Sequence, residues 1–177
     1  RDRIIRTELL SAFEMSTANL LKFTQRIKAF KPRMLFGYPS SLALMAQYMM
    51  SNGYKVDDLG IKVVFVTSER LYDHQREKIE AAFGCPVANG YGGRDGGFIA
   101  HTCPSGGMHI TAEDIIVEIV DSDGNVVPRG EQGEIVVTQL RTGDFPFLRY
   151  PTGDVGSLSD ATCPCGRGLP RSASRPR

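Results

Sequence analysis

The 177-residue sequence predicts an α/β fold, a parallel sheet with flanking helices followed by a smaller, mainly antiparallel β lobe. Three observations carry that expectation. Up to residue 97, short apolar runs alternate with segments whose apolar residues recur at helical spacing, the pattern of βαβ units. The run Ile61-Lys62-Val63-Val64-Phe65-Val66-Thr67 is apolar nearly throughout, as a strand covered on both faces would be. After Gly97 the helical period gives way to strand-like segments, Ile115 to Val120 and Glu134 to Thr138. The expected division is 1–97, then 98–170, then a tail over 171–177.

Each element follows from local chemistry. Leu20, Phe23, Ile27 and Phe30 mark one face of a helix beginning near Ser16, and Pro32 ends it by forcing the preceding residue out of the helical region. Met34-Leu35-Phe36 is a short strand, broken by Gly37-Tyr38-Pro39-Ser40. Ser40 or Ser41 is then the expected cap of a helix through Leu42, Met45, Ala46 and Met49, stopped at Asn52-Gly53. Behind the 61–67 strand, Tyr72, Arg76, Ile79 and Phe83 mark a helix that Gly84 closes, and Pro86 to Asn89 supplies another strand. Right-handed βαβ connections would gather the loops 37–41, 67–70 and 90–97 on one edge. In the second half, Asp121-Ser122-Asp123-Gly124-Asn125 between apolar runs is a hairpin signal.

Composition bounds the function. A formal net charge of +1 with scattered basic residues argues against a broad nucleic-acid surface, and Arg171, Arg175 and Arg177 read as a solvated tail. No apolar run approaches the roughly 20 residues of a membrane helix, and no secretion signal opens the chain, so the cytoplasm is the expected compartment. The sequence begins at Arg1, with Ile4 and Ile5 already in the pattern of an element, and reads as a piece of something longer. Its four cysteines, at 85, 103, 163 and 165, are too few and too uneven for a secreted disulfide framework.

The stretch Tyr91-Gly92-Gly93-Arg94-Asp95 leaves a probable strand at its carboxyl end, where open α/β sheets bind ligands. A tyrosine face can stack on a purine, glycines admit a close backbone approach, and a carboxylate can hold magnesium beside phosphates. A plain tight turn would use the same glycines.

Five segments together resemble the adenylate-forming (AMP-forming) acyl-CoA synthetase superfamily, in its branch of phenylacetate-CoA ligases and capsular-polysaccharide-biosynthesis relatives. They are Gly37-Tyr38-Pro39-Ser40-Ser41, Thr67-Ser68-Glu69-Arg70-Leu71, Tyr91-Gly92-Gly93-Arg94-Asp95, Gly133-Glu134-Ile135-Val136-Val137-Thr138 and Arg149-Tyr150-Pro151-Thr152-Gly153-Asp154. The resemblance implies that Tyr91 stacks on adenine, with Ser68-Glu69 along the other side of the base and Gly92-Gly93 in the same motif. It implies that Asp95 helps place Mg-ATP, that Asp154 grips the ribose hydroxyls, and that Tyr38-Pro39-Ser40 forms part of the wall around the acyl or aryl substrate. A carboxylate beside a glycine suits the ribose role, since it accepts hydrogen bonds from two vicinal hydroxyls. Two departures stand out. Asp95 is one methylene shorter than the usual glutamate, and Arg94 replaces a small hydroxyl, there either to neutralise phosphate or to pair with Asp95.

His101-Thr102-Cys103 and Cys163-Pro164-Cys165-Gly166 form a second constellation. Residues i and i+2 of a strand share a face, and Cys-Pro-Cys-Gly can present two sulfurs together, so His101, Cys103, Cys163 and Cys165 would complete a tetrahedral, structural zinc shell. Reduced cysteines in a small β core, or a strained disulfide between Cys163 and Cys165, are the plainer readings. Cys85 is expected to be core packing, and His74 and His109 have no ligand role in this reading.

The resemblance implies ligase chemistry: a small carboxylic acid attacks ATP to give an acyl- or aryl-adenylate, and a thiol, usually coenzyme A, takes the acyl group, with magnesium offsetting phosphate charge. The family's phosphate loop and its C-terminal lobe with the catalytic lysine would lie outside this sequence. The piece alone is therefore expected to be inactive, needing the N- and C-terminal parts of the same enzyme; a homodimer is compatible with the reading. The alternative is a non-catalytic, zinc-stabilised α/β binding or interaction module. Under the ligase reading Tyr91, Asp95 and Asp154 should face one cleft.

Overall fold

The computed structural model describes residues 6–141 and 147–172, so Ile4, Ile5, Arg175 and Arg177 lie outside the described residues. The chain divides into two compact units, 1–87 and 88–177. The fold is the expected one, parallel strands with flanking helices and then a mainly antiparallel β part.

In the first unit, helix α1 (Thr17–Phe30) starts at Ser16, whose hydroxyl accepts from the Asn19 N–H at 3.4 Å. It ends as Lys31 turns left-handed at φ 50° ahead of Pro32. Strand β1 (Met34–Gly37) pairs in parallel with β2 (Val63–Val66), in a register that sets Phe36 opposite Phe65. Helix α2 (Pro39–Ser51) begins two residues earlier than a cap at Ser40 would set it. Tyr38 is its N-cap without a side-chain hydrogen bond, and Pro39 supplies the first turn, where a missing N–H costs nothing. Helix α3 (Asp73–Phe83) follows Tyr72, which therefore caps the helix, 48% exposed, and does not join its buried face; Gly84 closes it at φ 63°. Ala46, Met49, Val64, Val66, Ile79 and Phe83 are fully buried together at the core, and Cys85 packs against them as expected.

The second unit begins inside strand β3 (Val87–Gly93), ahead of the change of character read at 98. The reason is that β3 runs through the Tyr91 motif and pairs antiparallel with β4 (Gly97–Thr102) across a tight 93–97 turn. The motif thus forms the end of β3 and the turn of a β-hairpin, with Tyr91 inside the strand and not in a loop. Strand β5 (Met108–Ile110) pairs with β4, and the strand order in this unit continues from β3, β4 and β5 to β10 (Arg171–Ser172) and β9 (Leu158–Ser159). A second sheet holds β6 (Ile115–Val120), β7 (Gly133–Gln139) and β8 (Tyr150–Gly156). Ile99, Ile110, Ile115, Ile119, Ile135 and Val137 form the core of this unit.

Two expectations are corrected here. The 121–125 turn does not join β6 to β7 directly. Gly124 N–H closes it on the Asp121 carbonyl at 3.1 Å, and Val126 bridges back to Val120 before the chain continues to Gly133. The tail is also shorter than the sequence suggests. Arg171–Ser172 is β10, half-buried between β5 and β9 (Leu158–Ser159), because those two strands leave backbone groups that it satisfies.

Candidate functional site

The second unit brings the Tyr91 and Asp154 motifs together. Tyr91 O–H donates to Asp154 Oδ2 at 2.8 Å, with Thr152 Oγ1 3.4 Å away. Thr152 Oγ1 in turn donates to the Ile135 carbonyl at 2.9 Å and accepts the Asp154 N–H at 3.2 Å. Four residues before Asp154, Tyr150 O–H donates to Asp95 Oδ2 at 3.3 Å. Tyr150, Thr152 and Asp154 alternate along β8, so one face of that strand addresses both ends of the hairpin motif. Strand β8 thus holds both Tyr91 and Asp95, which lie 63 and 55 residues from their partners in the chain.

Backbone geometry explains the glycines. Gly92 sits at the register shift of β3 against β4, where an added Cβ would lie 2.3 Å from the Gly97 carbonyl oxygen. Its first requirement is hairpin closure rather than approach to a ligand. Gly93 has open space around it. Gly153 takes φ 78°, a left-handed conformation that turns the chain between Thr152 and Asp154. Gln139 Nε2 donates to the Asp95 carbonyl at 2.9 Å and so steadies the turn that carries the carboxylate.

Electrostatics follow placement. Burial pushes the Tyr91 phenol well above its ordinary range, with the Asp154 hydrogen bond and charge acting the same way and Thr152 against it. The Asp95 charge raises Tyr150 likewise. Arg94 is exposed, and among the described residues it forms no ion pair with Asp95. The phosphate alternative for Arg94 therefore keeps its cation available.

In the first unit the loops 37–41 and 67–70 do converge. Thr67 N–H donates to the Gly37 carbonyl at 3.2 Å, and Ser40 N–H donates to Glu69 Oε2 at 3.2 Å. Ser68 adopts φ 69°, unusual for a residue with a Cβ. Pro39 is buried in the core, while Tyr38 is half-buried and meets Phe13 edge-on at 6.3 Å. Pro39 is thereby a packing residue of α2 as much as a wall of any pocket.

The cysteine constellation assembles with a different histidine. Cys103, His109, Cys163 and Cys165 bring their ligand atoms within 4.8 Å of one another. His101 is not in that group; it lies opposite His109 across β4 and β5 and stacks on Phe98 at 5.8 Å. The i, i+2 argument fails because β4 ends at Thr102. Cys103 already belongs to a turn, its N–H donating to the Gly107 carbonyl at 2.9 Å, so strand alternation no longer sets its direction. Burial lowers the His101 imidazole below its ordinary value, with Arg167 and His109 adding to the effect. All four cysteines are free thiols, which removes the Cys163–Cys165 disulfide. The Cys163 thiol is drawn down to about 6, foremost by the Cys165 backbone N–H.

Sequence reasoning missed Tyr150, Thr152, Gln139 and His109. The first two stood inside a quoted motif, and their alternation with Asp154 was the available signal. Nothing local marks Gln139 or His109.

The fold itself defines a class. In the solved structure of 2-hydroxyisobutyryl-CoA ligase in an open conformation with 2-HIB-AMP and CoA, the equivalent fold matches with a TM-score of 0.79 at 23% identity, over 88% of this chain and 38% of that one. The AMP-binding enzyme family matches residues 11–141, and the chain belongs to that family. Among curated relatives, Protein CapK of Staphylococcus aureus is 30% identical over 86% of this chain and 32% of its own length. A phenylacetate-coenzyme A ligase of Thermus thermophilus is 29% identical over 80% of this chain and 33% of its own. The chain spans about a third of the length of these relatives, and they come from the branch that the motifs resemble. No helix among the described residues is long and apolar enough to cross a membrane.

Proposed function

We propose that the chain is the central part of an ATP-dependent carboxylate–CoA ligase, similar to phenylacetate-CoA ligase, and that the Tyr91–Asp154 pair forms its adenosine site. The 2.8 Å hydrogen bond between these residues is the observation that carries the reading. It fixes the ring and commits one oxygen of the carboxylate, while a carboxylate offers about four acceptor positions, enough to receive vicinal ribose hydroxyls as well. The Tyr91 ring can then stack on adenine.

Asp95 is exposed and offers hard oxygen, the donor that magnesium takes one or two of beside substrate phosphates. Magnesium there would supply charge neutralisation at the phosphates. Tyr150 orients that carboxylate and Gln139 holds its backbone. Arg94, beside it, adds a cation for phosphate oxygens. The substrate acid attacks the α-phosphate through a carboxylate oxygen and expels pyrophosphate. A thiol, that of coenzyme A, then displaces AMP and leaves a thioester.

The test uses a protein extended to the length of the curated relatives, given ATP, magnesium, coenzyme A and a panel of aryl and short acyl acids. Expected products are AMP, pyrophosphate and a thioester, with hydroxylamine trapping the adenylate. Asp154→Ala should abolish ATP binding. Retained nucleotide binding in that variant, or no adenylate with any acid, would favour a non-catalytic binding module.

A further inference from the structure

Three thiols and one imidazole meet in the second unit from segments remote in sequence. Cys103 Sγ lies 3.6 Å from Cys163 Sγ, and Cys165 Sγ lies 3.3 Å from His109 Nε2, across 60 and 56 residues respectively. With metal–sulfur bonds of about 2.3 Å and metal–nitrogen bonds of about 2.0–2.1 Å, tetrahedral zinc sets S···S near 3.8 Å and S···N near 3.6 Å. The observed spacings are those of a shell that closes by small rotamer adjustments. They are too long for a disulfide, whose sulfurs sit about 2.05 Å apart.

The surroundings are built for this approach. Cys103 sits at the base of the turn between β4 and β5, and Gly106 N–H closes that turn on the Cys103 carbonyl at 2.9 Å. Gly166, at φ 78°, donates its N–H to the Cys163 carbonyl at 3.1 Å and folds the Cys-Pro-Cys turn. A Cβ on Gly107 would lie 2.9 Å from Cys163 Sγ and 3.0 Å from Arg171 Nη1. That glycine therefore leaves room for both the sulfur and the Arg171 guanidinium. Among the described residues, Arg171 Nε is buried without a hydrogen-bond partner, as is His109 Nδ1, and His109 is fully buried.

We propose that Cys103, His109 Nε2, Cys163 and Cys165 form a closed, structural zinc site, and that Arg171 on β10 offsets its charge. Three thiolates and a neutral imidazole around a divalent ion leave one net negative charge. Strand pairing sets Arg171 directly opposite His109, so its cation lies on the strand next to the imidazole ligand. The ion staples the β4–β5 turn, one strand from Tyr91, to the 163–166 turn that follows β9. Its role is conformational, because no ligand position remains for water or substrate. This site is independent of the ligase reading, since a zinc shell and an adenosine site can each exist without the other.

Elemental analysis of the protein purified without chelators should find one zinc per chain. Cobalt substitution should give thiolate-to-metal charge-transfer absorption with tetrahedral d–d bands. His109→Ala should weaken zinc in a chelator competition by more than the ~10–100-fold typical of losing an outer-shell group, and Arg171→Ala by about that 10–100-fold. His101→Ala should leave zinc affinity unchanged. Should the ligand variants fail to fold, thiol counting on the unaltered protein decides: zinc should shield three cysteines from a thiol reagent and a chelator should expose them. Thiols equally reactive with and without zinc, or affinity lost in His101→Ala but kept in His109→Ala, would overturn the assignment.

Discussion

Tyr91 and Asp154, 63 residues apart, are joined by a hydrogen bond of 2.8 Å from phenol to carboxylate. Two motifs at opposite ends of the β unit therefore act as one polar cluster, with Thr152 shared between them. Removing the phenol oxygen separates its two jobs. Tyr91→Phe should cost about 1 kcal/mol in urea unfolding, the usual worth of one hydrogen bond whose acceptor can still reach water. It should also leave AMP affinity within a few fold by calorimetry, because the ring remains. Tyr91→Ala should lose stacking worth about 1–3 kcal/mol, roughly 5- to 150-fold in affinity. Equal losses in the two variants would show that the ring does not meet the base.

Alkaline pH offers a second check. Tyr91 ionises in the unfolded chain near its ordinary value of about 10. Burial and Asp154 raise that value in the folded protein, so the folded state holds its proton more tightly. The associated stability is fully present below pH ~10 and is lost as pH rises through the folded-state value. Phenolate absorbance in the native protein should show a tyrosine resisting ionisation beyond the others, and that resistance should disappear in Tyr91→Phe. A titration unchanged by the substitution would contradict the burial argument.

Glycine placement makes a prediction about folding alone. At Gly92 a methyl group would collide with the Gly97 carbonyl, and its nearest atoms are all backbone of Gly97 and Phe98, with no flexible side chain among them to yield. Gly92→Ala should destabilise by the roughly 1–3 kcal/mol of an overpacked site, or more. Gly93→Ala, with open space at that position, should fall within about 0.5 kcal/mol of the unaltered protein. Denaturant midpoints for the two variants test the contrast.

Ser68 bears the opposite strain. Its φ of 69° places a Cβ in the left-handed region, at a penalty of about 1–2 kcal/mol that glycine avoids. Ser68→Gly should raise the stability of the first unit by up to about 1 kcal/mol, since part of the gain is returned as unfolded-chain entropy. A destabilised variant would mean that the side chain has a compensating role.

Tyr150 tests the Asp95 assignment. Tyr150→Phe removes a bond to the carboxylate at an exposed position and should change stability little. Under the ligase reading it should weaken the magnesium dependence of ATP binding in the extended protein, with AMP binding unaffected. A parallel loss for both nucleotides would place Tyr150 with the adenosine site instead.

Much of the architecture was legible in the chain because it is local. Three helices and the strands at 34–37 and 63–66 follow from apolar period, Pro32, Gly84 and the run at 61–67. The Tyr91, Asp95 and Asp154 motifs could be named because each is a short contiguous pattern of residues with distinct chemistry. Which residues complete the clusters was decided by pairing between strands. A hairpin set His109 opposite His101 and carried Cys103 off the strand's alternation; antiparallel closure turned a tail read as solvated into β10 and set Arg171 opposite His109. By itself the sequence determined which side chains could bind a nucleotide or a metal. Only the tertiary structure decided which of them meet, because strand register and turn closure depend on contacts across some 60 residues that no local period encodes.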